Sequence, residues 1–216
     1  MDTDLKDSKN TAKSTFDETF LEDGFFVLTC KNEMTEVSTL ERNIDSSYIQ
    51  FHFCTKGSAA FIFNQGNYTL NIKEDTSLLL YNPQRDLPIH LELQPQSWLV
   101  SFVISIKKFH SLFSDDANYV TFLTDDNRDK KYYKDGNVSP SMAIVLNQLI
   151  NFNLNTSIKP LYFKGKAYEL LSLFFNRSED ADIPTQNALK NFIKTYRFPF
   201  KMSKTQSSQL RYEFKF

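Results

Sequence analysis

From Gly24 to Ser105 the chain repeats one short pattern: a run of alternating side chains, a few turn residues, then another run. The recurrence comes at roughly ten-residue spacing, and about six to eight runs fit the segment. Successive side chains of an extended strand point to opposite faces, so a period of two marks a strand with two distinct sides. Residues 24–30 (GFFVLTC) open the series. In residues 48–54, Ile49, Phe51 and Phe53 fall on one side, and Tyr48, Gln50, His52 and Cys54 on the other. Lys56, Gly57 and Ser58 make a turn, and residues 59–63 continue extended. Residues 64–67 (NQGN) predict a hairpin turn, because Asn and Gly tolerate positive φ. Tyr68, Leu70 and Ile72 then alternate with Thr69, Asn71 and Lys73. Residues 77–81 form a continuous apolar run stopped by Asn82 and Pro83; residues 87–93 and 98–105 alternate again across the break at Pro95. Many short strands separated by turns predict an antiparallel sandwich or small barrel. Residues 106–113 read as a brief helical turn, and residues 114–137 as polar and irregular.

The texture changes at Ser139. A serine can cap a helix and Pro140 fits its first position, where the missing N–H costs nothing. Met142, Val145, Leu146, Leu149 and Ile150 follow at helical spacing on one face. A second helix is predicted from Pro160 to about Phe175. Phe163, Ala167, Leu170 and Phe174 form one apolar stripe, and Leu161, Gly165, Tyr168 and Phe175 a second, nearly opposite one. A helix apolar on two sides is usually held between two partners.

Chemistry-bearing patterns are sparse. The three histidines, His52, His90 and His110, are scattered with no His-x-His pair, so no metal site is expected. Neither a Gly-x-Ser-x-Gly turn nor a Gly-rich phosphate loop occurs. The reading is therefore of a chain without catalytic residues, cofactor or metal. Cys30 and Cys54 sit in apolar strand-like runs and read as buried free thiols, as expected in a reducing cytoplasm. No run approaches the length of a membrane span, and the start of the chain lacks the apolar core of a secretory signal. Residues 184–216 hold seven of the 25 Lys and Arg and one acid, Glu213. Residues 1–183 are left with 18 basic and 25 acidic side chains, a net charge of −7, which disfavours nucleic-acid binding by the body of the chain. The tail interleaves cations with aromatics (Phe192, Tyr196, Phe198, Phe200) but shows no periodicity, and reads as a solvated or non-native end rather than a nucleic-acid contact.

The string of residues 161–173, LYFKGKAYELLSL, resembles a helix of the AraC-type transcription regulators, in the branch typified by the pyochelin-responsive regulator. Residues 51–55, Gly57 and the run 78–83 (LLLYNP) are similar to the barrel of the same branch. The resemblance covers residues 24–177. It implies an α+β, mainly β fold: a small cupin-like antiparallel barrel or jelly roll followed by an antiparallel helical pair. It also implies a barrel that binds a small effector, helices that form a homodimer, and promoter contact through a separate helix-turn-helix domain. No helix-turn-helix pattern is evident after Asn176, so the expectation is a sensing and dimerisation portion that reaches DNA only through a full-length relative, or not at all. The texture break near Ile183 and Pro184 reads as a truncation or frame change.

The expected organisation is a mobile arm (residues 1–20), a barrel (21–137), a two-helix dimerisation segment (138–177) and an irregular basic tail (178–216). With 21 Phe against 5 Gly, bulky side chains should wall any cavity. The effector-pocket candidates are Phe51, Phe53, Phe61, Phe63, Trp98 and Phe102, and the dimer-interface candidates Leu161, Gly165, Tyr168 and Phe175. The competing class is a cupin-fold enzyme or binding protein, which the scattered histidines disfavour.

Overall fold

The computed structural model describes residues 13–112 and 131–176. In chain order its elements are β1 (Ser14–Glu22), β2 (Phe25–Asn32), β3 (Ser38–Arg42), β4 (Tyr48–Lys56), β5 (Ser58–Phe63), β6 (Tyr68–Lys73), β7 (Thr76–Tyr81), β8 (Ile89–Leu93), β9 (Ser97–Ser105), α1 (Ile106–His110), β10 (Tyr132–Asn137), α2 (Pro140–Ile150) and α3 (Lys159–Phe175).

Two antiparallel sheets result. The larger runs β1-β2-β9-β4-β7-β10 and the smaller β3-β8-β5-β6. Strands distant in sequence lie side by side, as in a jelly roll, and the sheets form a sandwich rather than a closed barrel. One glycine is required by its surroundings: Gly57, between β4 and β5, has φ +69°, and a Cβ there would stand 2.2 Å from Ser97 Oγ.

The large sheet is covered on both faces, so its central strands are buried throughout. Phe26, Leu28, Cys54, Leu78, Leu80, Leu99 and Val103 meet Phe61, Ile72, Ile89, Leu91 and Leu93 of the small sheet in the sandwich interior. On the opposite face, Phe25, Val27, Ile49, Phe51, Phe53, Leu79, Val100, Phe102 and Ile104 form a second core with Phe109, Met142, Leu146, Leu149, Phe163, Ala167, Leu170 and Phe174. The helices therefore form a third layer.

The helix starts follow from the sequence. Ser139 Oγ accepts from the Met142 N–H at 3.3 Å, ahead of Pro140, and Pro160 stands in the first turn of α3. Two segments depart from expectation. Residues 14–20, read as part of a mobile arm, belong to β1, which pairs with β2 along its length; most of its side chains remain accessible, so its sequence carries little apolar signal. Residues 132–137, read as irregular, form β10 on the exposed edge of the large sheet. An edge strand half in water can be polar. The remainder of the arm and the basic tail lie outside the described residues.

Candidate functional site

A line of polar side chains crosses the sandwich interior. Gln50 and His52 of β4 and Ser101 of β9 are all fully buried. The strand register sets His52 opposite Ser101, and His52 Nδ1 lies 2.8 Å from Ser101 Oγ. His52 Nε2 lies 3.2 Å from Gln50 Oε1, and Gln50 Nε2 donates to the Leu87 carbonyl at 2.6 Å. These contacts fix the proton positions. Gln50 spends its amide hydrogen on Leu87 and offers its oxygen to His52, so His52 carries its proton on Nε2 and accepts the Ser101 hydroxyl on Nδ1. Burial pushes the His52 pKa down to about 3, and the ring stays neutral. Phe61 stacks against it with ring centres 4.1 Å apart. The result is a neutral, fully satisfied polar chain from the middle of an apolar interior to the connection between β7 and β8.

The six pocket candidates do not share one cavity. Phe51, Phe53, Trp98 and Phe102 lie on the helix-facing side of the large sheet. There Phe51 meets Phe174 edge-on at 5.4 Å and Phe53 meets Phe102 at 5.8 Å. Only Phe61 lies in the sandwich interior, with Phe63 at its margin. Alternation groups residues by face but does not say which face looks at the second sheet, and here the aromatic face is the one the helices cover. The polar residues of β4 were legible as its other side; the signal that would have marked them is a polar run on a strand whose two neighbours are both apolar. Side chains of the interior are at most 7% exposed.

The second stripe of α3 also divides. Tyr168 packs on Phe25, with ring centres 6.1 Å apart, and donates to Glu22. Phe175 packs on Phe51 and Phe109 at 5.9 and 5.5 Å. Both thus have partners within the chain, because β1 and α1 close over that side of the helix. Leu161 is 75% exposed, and a Cβ on Gly165 would meet nothing within 4 Å. Glu22 is a junction of its own, receiving Lys164 Nζ at 2.8 Å and Lys108 Nζ at 3.1 Å besides Tyr168. Burial works to raise its pKa, but the hydrogen bonds from Lys164, Tyr168 and Lys108 and the charge of Lys108 outweigh it and hold the carboxyl at about 2.

Other chemistry is muted. Cys30 and Cys54 are free and buried, and burial raises both thiols to about 12. Among the described residues no three His, Cys, Asp or Glu side chains gather as metal ligands, and no helix is long and apolar enough to cross a membrane.

The sequence match that accompanies this fold defines the class, an N-terminal regulatory domain of an AraC-type regulator. The chain belongs to one family of that class, described as the regulatory protein PchR N-terminal domain, whose sequence model matches residues 12–189. Among solved structures it is similar to ToxT from Vibrio cholerae, at 18% identity over 87% of this chain and 71% of that one (TM-score 0.37). It is similar also to ToxT with a bound unsaturated fatty acid, at 14% identity over 89% and 70% (TM-score 0.37). A third similar structure is the EutQ protein of Clostridium difficile, at 8% identity over 44% and 64% (TM-score 0.31). No curated protein sequence matches.

Proposed function

We propose that this domain is the effector-sensing portion of a transcription regulator, receiving a small, largely apolar molecule between its sheets at Gln50, His52 and Ser101. The observation that carries the reading is the buried neutral polar chain. Ligand sites of this kind are mostly apolar with a few convergent polar groups. An interior of this composition accepts a carbonyl or hydroxyl group and rejects a charge, which would lack a counter-ion there. Because the interior is nearly closed, entry parts the sandwich. A ligand that takes over the Gln50 amide releases the Leu87 carbonyl, so occupancy is transmitted to the β7–β8 connection.

The test is a thermal-shift screen of small apolar compounds with and without one carbonyl or hydroxyl. A ligand at 100 times its dissociation constant adds about 2.7 kcal/mol. Stabilisation should require the polar group and disappear in Gln50→Leu and His52→Leu. A hit that stabilises both variants as much as the parent would show that the interior is not the site.

The pairing of two copies through the outer side of α3 belongs to the same reading, now resting on Leu161 and Gly165. An exposed leucine beside a bare backbone stretch suits a symmetric contact. Sedimentation should show a dimer at tens of micromolar that Gly165→Leu weakens by about 1–3 kcal/mol; a parent that remains monomeric rejects the pairing. With its net charge of −7, the body of the chain is not expected to retard promoter DNA specifically.

A further inference from the structure

On the helix-facing side of the large sheet, the indole of Trp98 has two ammonium groups near it. Lys31 Nζ stands 5.0 Å and Lys56 Nζ 4.9 Å from the ring centre. The register explains the grouping: Trp98 on β9 is opposite Lys31 on β2 and Lys56 on β4, so the three positions form a row across adjacent strands. Among the described residues neither ammonium has a carboxylate within 4.0 Å. Lys31 donates only to a neutral acceptor, Asn151 Oδ1, at 3.3 Å. The indole Nε1 is buried and, among the described residues, has no acceptor.

Cation–π attraction explains why each lysine lies near the ring, at about 0.5–1 kcal/mol for an accessible pair. It does not explain the rest. Two like charges near one ring repel each other, and the N–H remains unsatisfied at a cost of about 1–3 kcal/mol. The cluster is rich in donors and poor in acceptors, and one multi-oxygen anion relieves both deficits. It accepts from the indole N–H while neutralising the two ammonium groups, which can swing on flexible stems to admit it.

We propose that Lys31, Trp98 and Lys56 form a binding site for a small oxyanion, the carboxylate or phosphoryl group of a soluble molecule. The site is separate from the sandwich interior, on the opposite face of the large sheet. The acidic body of the chain favours a small ligand over a polyanion.

Trp98 is the only tryptophan in the chain, so the site carries its own reporter: one indole N–H resonance and one emission band. The protein is titrated with inorganic phosphate and, separately, with sodium acetate, against chloride at matched ionic strength. A saturable downfield movement of the indole resonance with either oxyanion, absent with chloride, is the expected result; the responding probe identifies the phosphoryl or the carboxylate chemistry. Lys31→Gln with Lys56→Gln should weaken the response at least about tenfold, the loss of charge-assisted hydrogen bonds. Should the double variant not fold, each single variant is read the same way. His52→Leu should leave the response unchanged, which separates this site from the interior one. A resonance that neither oxyanion moves saturably, that chloride moves equally, or that moves undiminished without the lysines overturns the proposal.

Discussion

Toward the helices, the six-stranded sheet presents Phe25, Phe51, Phe53 and Phe102 among aliphatic neighbours. Toward the second sheet, the same strands present Gln50, His52 and Ser101 among smaller apolar side chains. Both faces exclude water, yet they do so differently. The helix face is closed by rings meeting edge to face, a geometry that contributes beyond the area it buries. The interior face accepts Gln50, His52 and Ser101 and links them to one another and to the Leu87 carbonyl in a single hydrogen-bonded chain. One face is therefore held by ring packing, the other by apolar packing around a hydrogen-bonded polar chain.

That contrast can be tested from its strongest side downward. Phe51→Ala removes a fully buried ring that touches Phe109, Phe174 and Phe175. Chemical denaturation should show a loss of about 3–5 kcal/mol, enough to loosen the helical pair. His52→Leu, on the other face, leaves the Ser101 hydroxyl and the Gln50 oxygen without their partner, and the same measurement should give about 1–3 kcal/mol. An equal or greater loss for His52→Leu would erase the distinction between the faces. His52 also predicts an acid profile. Its folded pKa of about 3 lies below the ordinary 6.5, so the unfolded chain binds the extra proton first. Its contribution is complete above pH 6.5 and is lost as the pH falls toward 3, with a slope approaching about 1.4 kcal/mol per unit; His52→Leu should flatten that stretch.

Glu22 gives a smaller effect in a lower window. With its pKa held at about 2 against an ordinary 4.5, its contribution is present above pH 4.5 and fades between 4.5 and 2. Because the carboxylate retains 20% exposure, the effect should be about 1–2 kcal/mol, and Glu22→Gln should remove that part of the pH dependence. The smallest expected change is a gain. Gly165 lies inside α3 with open space where a Cβ would go, so Gly165→Ala should raise the stability of the monomer by about 0.4–1 kcal/mol. A loss would mean that the glycine is covered by something outside the chain, which would sharpen the case for pairing.

The strands from β4 to β9 and both long helices were legible in the sequence because each announces its period: Phe51 and Phe53 two apart, Val145, Leu149 and Ile150 along one helical face, Ser139 and Pro140 at a helix start. Which face of each strand looks into the sandwich was not legible. Periodicity states that Phe51 and His52 look in opposite directions, and which of them looks inward depends on what else packs on the sheet. In a two-layer protein the phenylalanines would have been the interior; the third, helical layer reverses the assignment. β1 and β10 were missed for a related reason, since both are edge strands of the large sheet and half of each pattern is written in polar residues.

The contacts that dock α3 on β1 join the two ends of the described chain. Lys159 with Asp17, Lys164 with Glu22, and Tyr168 with Glu22 are separated by 142 to 146 residues. During synthesis β1 is made first and waits for contacts that lie 142 to 146 residues further along the chain. Until α3 leaves the ribosome, Phe51, Phe53 and Phe102 lack the share of their cover that Phe163, Ala167, Leu170 and Phe174 supply, and part of an aromatic wall stays open. A ribosome stalled before residue 159 should therefore hold a sandwich whose helix-facing side is only partly covered, and full protection of that side should coincide with the moment α3 closes over the sheet.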